Sequence, residues 1–217
     1  MRLYLTNHPN RFCSKISDKV TLESMITNEA EYYREATRLR KKYASQIHIL
    51  IGFETDWIRT ATGPSSSSSL SPSSSSSLQL ITDSLNRHRF DFFVGSIHHT
   101  YTIPIDFDHE MYVQARNRAN PPTDEKLFEA YFDEQLVMLE QLKPLVVGHF
   151  DLIRLKSDDP ERSFQVWPGV WVRILRNLRF VAAYGGLLEL NSAALRKGMS
   201  EPYPKAEICQ VCPFFLF

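Results

Sequence analysis

Short apolar runs that stop at a histidine or an acid recur along this chain, with helix-length segments between them. Residues 47–53, IHILIGF, are apolar almost without a break and end at Glu54. Residues 90–97, FDFFVGSI, end at His98 and His99. Residues 145–148, LVVG, lead to His149 and Asp151, and residues 187–190, LLEL, lead to Asn191 and Ser192. A shorter β-prone run, LYLTN at 3–7, ends at His8. Continuous apolar runs of this length fit strands buried on both faces.

The segments between them read as helices. Across 18–43, Leu22, Met25, Ile26, Tyr33, Ala36 and Leu39 recur near the helical period, and Arg38, Arg40, Lys41 and Lys42 suit a helix C-terminus. Residues 78–88 predict a short helix. Thr123 can cap another, with Asp124 and Glu125 in its first turn and Leu127, Tyr131, Met138 and Leu142 on its inner face. Pro144 stops it. Pro168 opens a helix to Tyr184, with Trp171, Leu175, Leu178 and Val181 as its apolar stripe. The stretches 100–122 and 156–163 read as loops.

Strand and helix thus alternate, which implies parallel strands joined by helical crossovers. A barrel and a doubly wound open sheet both satisfy that pattern. No GxGxxG turn follows a strand and no GxxxxGK[ST] occurs, so dinucleotide and P-loop folds lose weight. The rhythm continues across a Pro- and Ser-rich stretch at 63–78. It has almost nothing to bury and reads as a disordered surface insertion in a single domain, 1–217.

Composition bounds the partners. Lys plus Arg equals Asp plus Glu at 25 each, so net charge gives no argument for nucleic acid or an anionic membrane. No apolar run reaches the length of a membrane-spanning helix, and the N-terminus lacks a signal-peptide core. Three cysteines, at 13, 209 and 212, make no disulfide framework, and a reducing, cytoplasmic location is expected. Cys209 and Cys212 have CxxC spacing without the second pair that a structural zinc site needs. Nothing in the sequence speaks to oligomeric state.

Active sites of parallel α/β folds collect at the C-terminal ends of strands. Here those positions hold His8, Glu54, His98, His149 and Asn191. One histidine after a strand is more often a hydrogen-bonded loop residue than a ligand. Three histidines and a glutamate closing different strands point further, to a metal or an acid–base site. Imidazole and carboxylate suit Zn, Mn and Fe. Asp151 is expected to orient a histidine, and Phe150 to be core.

Longer strings narrow this. FVGSIHHTYTIPIDFD (93–108), LVVGHFDLIRL (145–155) and ELNSAALRKGMSEPYP (189–204) resemble segments of histidinol phosphatases of the polymerase-and-histidinol-phosphatase (PHP) family, in the order of its fungal members. LIGFETDWI (50–58) is similar to the family's strand with a metal-bridging Glu, and LTNHPNR (5–11) to its LTEHxPR. The resemblance implies that His8, Glu54, His98 and His149 are metal ligands. It implies that Arg11 and Arg196 bind substrate phosphate, for which a planar guanidinium fork is suited. The implied reaction is metal-dependent hydrolysis of L-histidinol phosphate in histidine biosynthesis.

The match also departs from the family. Nothing before His8 matches the family's opening HxH motif, Asn7 replaces a carboxylate, and the match stops near Tyr203–Ile208, short of a closing DxH. The expectation is therefore α/β: an incomplete distorted (β/α)7 TIM-like barrel of the PHP type, truncated at both ends, with a partial metal cluster. Three functions follow: a phosphomonoester hydrolase, an inactive remnant that binds fewer metals, and a nucleic-acid enzyme module. The neutral charge and the IPID and EPYP strings disfavour the last.

Overall fold

Thr21 caps the first long helix with a reciprocal pair of hydrogen bonds to Ser24, and Arg40, Lys41 and Lys42 close its last turn. In the computed structural model, which describes residues 2–5, 21–58 and 77–211, this helix is α1, Leu22–Lys42. It follows β1, Arg2–Leu5, and leads into β2, His48–Asp56. Next come α2, Ser77–Arg87, and β3, Phe92–Ser96. A hairpin of β4, His99–Thr100, and β5, Ile103–Pro104, precedes α3, His109–Arg116, and α4, Asp124–Leu142. The remainder is β6, Val146–Val147; α5, Pro168–Ala183; β7, Leu187–Leu188; α6, Ala193–Arg196; and α7, Ala206–Val211.

Five strands pair in the order β1-β2-β3-β6-β7, every neighbouring pair parallel. This order decides between the two architectures that alternation allowed. A doubly wound sheet reverses its strand order partway, whereas a barrel wall adds strands successively. The sheet here is such a wall, and among the described residues it does not close on itself.

Two apolar layers cover the strands. Ala36 of α1 packs on Ile49 and Ile51 of β2. A larger cluster joins Phe53, Ile97 and Val147 to Leu127, Tyr131 and Phe132 of α4 and Ile174 and Leu178 of α5. Burial of such side chains contributes roughly 1.5–3 kcal/mol each.

Several boundaries moved. β2 runs on through Glu54 to Asp56, and β7 stops at Leu188 instead of reaching Leu190. The helix expected over 78–88 is α2, which opens one residue earlier, at Ser77 in the expected serine-rich insertion; residues 63–76 lie outside the described residues. The stretch after His99 is not plain loop. Asp108 caps α3 by accepting from the Met111 amide at 2.8 Å, and Tyr112 and Ala115 are buried. Residues Leu152–Lys156 form a 3₁₀ turn.

The stripe of α5 keeps the expected Leu178 and Val181, but in its first half Val170 and Ile174 are fully buried while Trp171 is only partly buried against the core. Polar ties join this helix to α4 as well. Buried Asn177 donates to the Phe132 carbonyl at 2.7 Å and to Gln135 Oε1 at 3.0 Å. Arg173 and Arg176 reach Asp133 on the same helix, α4.

Candidate metal centre

Strand geometry delivers the first two groups. Side chains two apart on a strand share a face, so Glu54 and Asp56 of β2 point the same way. They are in register with Val94 and Ser96 of β3. His98 follows two residues after β3, and His99 begins the β4–β5 hairpin. The hairpin turns through Tyr101 and Thr102, both with positive φ, 54° and 66°. Glycine or asparagine usually fills such a two-residue turn. Here Glu134 of α4 accepts from the Tyr101 amide at 3.0 Å and helps hold it.

The third group comes from the loop after β6. His149 has a φ of 23°. Its backbone is fixed on both sides. Glu189 Oε2 accepts from the His149 amide at 3.0 Å and from Asn191 Nδ2 at 3.0 Å. The Phe150 carbonyl accepts from Gln135 Nε2 at 2.9 Å and from the Tyr131 hydroxyl at 3.3 Å.

These elements converge. One ligand atom from each of Glu54, His98 and His149 lies within 4.8 Å of the others. Glu54 Oε1 is 3.0 Å from His149 Nε2 and 3.9 Å from His98 Nε2. The two rings stand 4.7 Å apart, nearly edge to face. All three side chains are at most 12% exposed.

Asp56 shapes the electrostatics. Its Oδ1 lies 3.3 Å from His98 Nδ1 and its Oδ2 lies 3.2 Å from His99 Nδ1. Burial opposes its ionisation, but the two imidazoles outweigh burial and hold the carboxyl at about 2. Burial likewise disfavours the His98 imidazolium, yet Asp56, Asp106 and Glu54 raise its pKa above the ordinary value.

One carboxylate and two imidazoles are a donor set for Zn, Mn or Fe. The residues fit such an ion. His149 Nδ1 is a buried ring nitrogen with no hydrogen-bond partner among the described residues, and its Nε2 meets a carboxylate. Three protein donors leave coordination positions for water and substrate.

Of the residues singled out from sequence, Glu54, His98 and His149 come together. His8 and Arg11 lie outside the described residues. Arg196 is exposed on α6, its Nη1 3.3 Å from Ser192 Oγ. Asn191 supports Glu189 and caps a turn by accepting from the Ala193 amide at 2.8 Å. Asp151 does not orient a histidine. Its Oδ2 accepts from Arg154 Nε and from the Lys205 amide, each at 3.0 Å. Burial pushes its carboxyl up to about 6 despite Arg154. Sequence reasoning missed Asp56 and Glu189 as supporting groups. The two-residue spacing from Glu54 could have found Asp56.

A successively wound parallel sheet with a carboxylate–imidazole cluster at its strand ends defines a metal-centred protein of the TIM-like barrel class. The chain belongs to the PHP domain family, whose model matches residues 2–193. It is 37% identical over 191 residues to a Schizosaccharomyces pombe protein named "Probable histidinol-phosphatase", covering 87% of this chain and 57% of that one. It is 38% identical over 146 residues to the histidinol-phosphatase of Saccharomyces cerevisiae, covering 58% and 43% respectively. The chain thus spans about half the length of the curated relatives it matches.

Two crystal structures share the fold. A HisK protein of Listeria monocytogenes superposes with a TM-score of 0.71 at 22% identity, over 99% of this chain and 79% of that one. The histidinol phosphate phosphatase of Lactococcus lactis, complexed with zinc, L-histidinol and phosphate, gives 0.61 at 18% identity, over 88% and 61%.

Proposed function

We propose that this chain is a phosphoric monoester hydrolase that releases phosphate and L-histidinol from L-histidinol phosphate, the histidinol-phosphatase reaction of histidine biosynthesis. The observation that carries the reading is the convergence of Glu54, His98 and His149 at the strand ends of a PHP chain. The names of its fungal relatives supply the substrate.

Glu54, His98 and His149, joined by His8, would hold the divalent cation. When bound, it supplies Lewis acidity at the phosphoryl group and makes water a better nucleophile. Water adds to phosphorus, the ester P–O bond breaks, and the departing alcohol oxygen takes a proton. Arg11 and Arg196 are proposed to bind the phosphate oxygens, each with two parallel N–H donors. The buried walls around Glu54 and His149 keep those groups poorly solvated, which strengthens charge interactions there. A cytoplasmic location belongs to the same reading, supported by cysteines too sparse for a disulfide framework.

The test is phosphate release from L-histidinol phosphate with zinc or manganese added, comparing the chain with Glu54→Gln. The reading expects release that needs the cation and is lost in the variant. Cation binding with no release above the Glu54→Gln background would overturn the hydrolase reading in favour of a binding remnant.

A further inference from the structure

Asp56 stands two residues beyond Glu54 and contacts two consecutive imidazoles with its two oxygens. Oδ1 lies 3.3 Å from His98 Nδ1 and also 3.3 Å from the His98 amide nitrogen, which donates to it. Oδ2 lies 3.2 Å from His99 Nδ1. These are ion-pair contacts: neither Nδ1 nor Asp56 Oδ2 has a hydrogen-bond partner among the described residues, so Asp56 is the acid that faces both ring nitrogens. The three side chains are at most 7% exposed, so water does not compete freely for these contacts.

We infer that Asp56 is a positioning residue for the cation site. Resting on the reading that Glu54, His98 and His149 hold a divalent cation, it fixes His98 as the Nδ1–H tautomer and aims Nε2 at Glu54. The chemistry requires this order. An imidazole that ligates through one nitrogen must carry its proton on the other, and a carboxylate acceptor there sets the ring's angle and basicity. The second oxygen does the same for His99. One carboxylate therefore fastens the β4–β5 hairpin to the strand that carries Glu54.

The test is cobalt(II) titration of the metal-free chain, read by visible absorption, with Asp56→Asn and Asp56→Ala. Asparagine keeps the volume and one acceptor, and covers the case in which alanine does not fold. The expected loss of cobalt affinity is about 10–100-fold for alanine and smaller for asparagine. In a His98→Ala background, the Asp56 substitutions should add no further loss, because Asp56 acts through that ring. A structural role alone would weaken both backgrounds alike. Unchanged affinity in both Asp56 variants, or an equal loss in the His98→Ala background, overturns the inference and leaves the cation site standing. A wild-type chain that takes up no cobalt overturns the cation site itself, and the inference with it.

Discussion

His149 Nε2 lies 3.0 Å from Glu54 Oε1 although 95 positions separate the two residues in sequence. Parallel strands that end at the same edge bring these distant groups together. β2 and β6 flank β3, so the groups leaving their C-terminal ends meet above it. Without a cation, a neutral imidazole can donate to the carboxylate. With one, both groups become ligands, and the exchange stabilises the native chain.

Cation binding should therefore raise thermal stability. A ligand that binds only the folded state at about 100 times its Kd adds about 2.7 kcal/mol. Melting with zinc and with a chelator checks this. Glu54→Gln should remove most of the difference.

Gly148 should not tolerate a side chain. A Cβ there would fall 2.4 Å from Ser96 Oγ and 2.9 Å from Val94 Cγ1. Overpacking of this kind costs about 1–3 kcal/mol. Because His149 is the next residue, Gly148→Ala should weaken cation affinity as well as shift the urea midpoint. Isothermal titration separates the two effects.

Arg154→Met should be strongly destabilising. Arg154 and Asp151 form an ion pair with side chains 1% and 0% exposed. Arg154 Nη2 also donates to the carbonyls of Glu201 and Pro202, at 2.8 and 2.7 Å. Removing one partner of a buried pair costs about 3–5 kcal/mol. Equilibrium unfolding in urea measures it, and Asp151→Asn should fall in the same direction.

The site was more legible than its support. Glu54, His98 and His149 could be found because a polar residue closing an apolar run stands out, and the flanking strings gave them a family. Asp56 was hidden because β2 continues past Glu54, and a strand's last residue leaves no mark in an apolar pattern. Glu189 was hidden inside LLEL, where an acid between leucines reads as the solvent side of a strand. The chain there has already left β7, and Glu189 turns to the His149 amide. On α5 the expected Leu178 and Val181 are core, but Val170 and Ile174, at the same helical spacing, are more deeply buried than Trp171 and Leu175 in its first half. Asp151, placed by its nearness to His149 in sequence, instead serves Arg154.

The central claim is that Glu54, His98 and His149 form one cation site. Zinc titration of the metal-free chain by calorimetry, beside Glu54→Gln, His98→Ala and His149→Ala, tests it most directly. The account predicts that each substitution lowers affinity by at least about tenfold, while the metal-free variants keep the circular dichroism of the parent. Each removes a direct donor, so the loss expected for a supporting group is a lower bound. Zinc affinity unchanged in all three variants would contradict it.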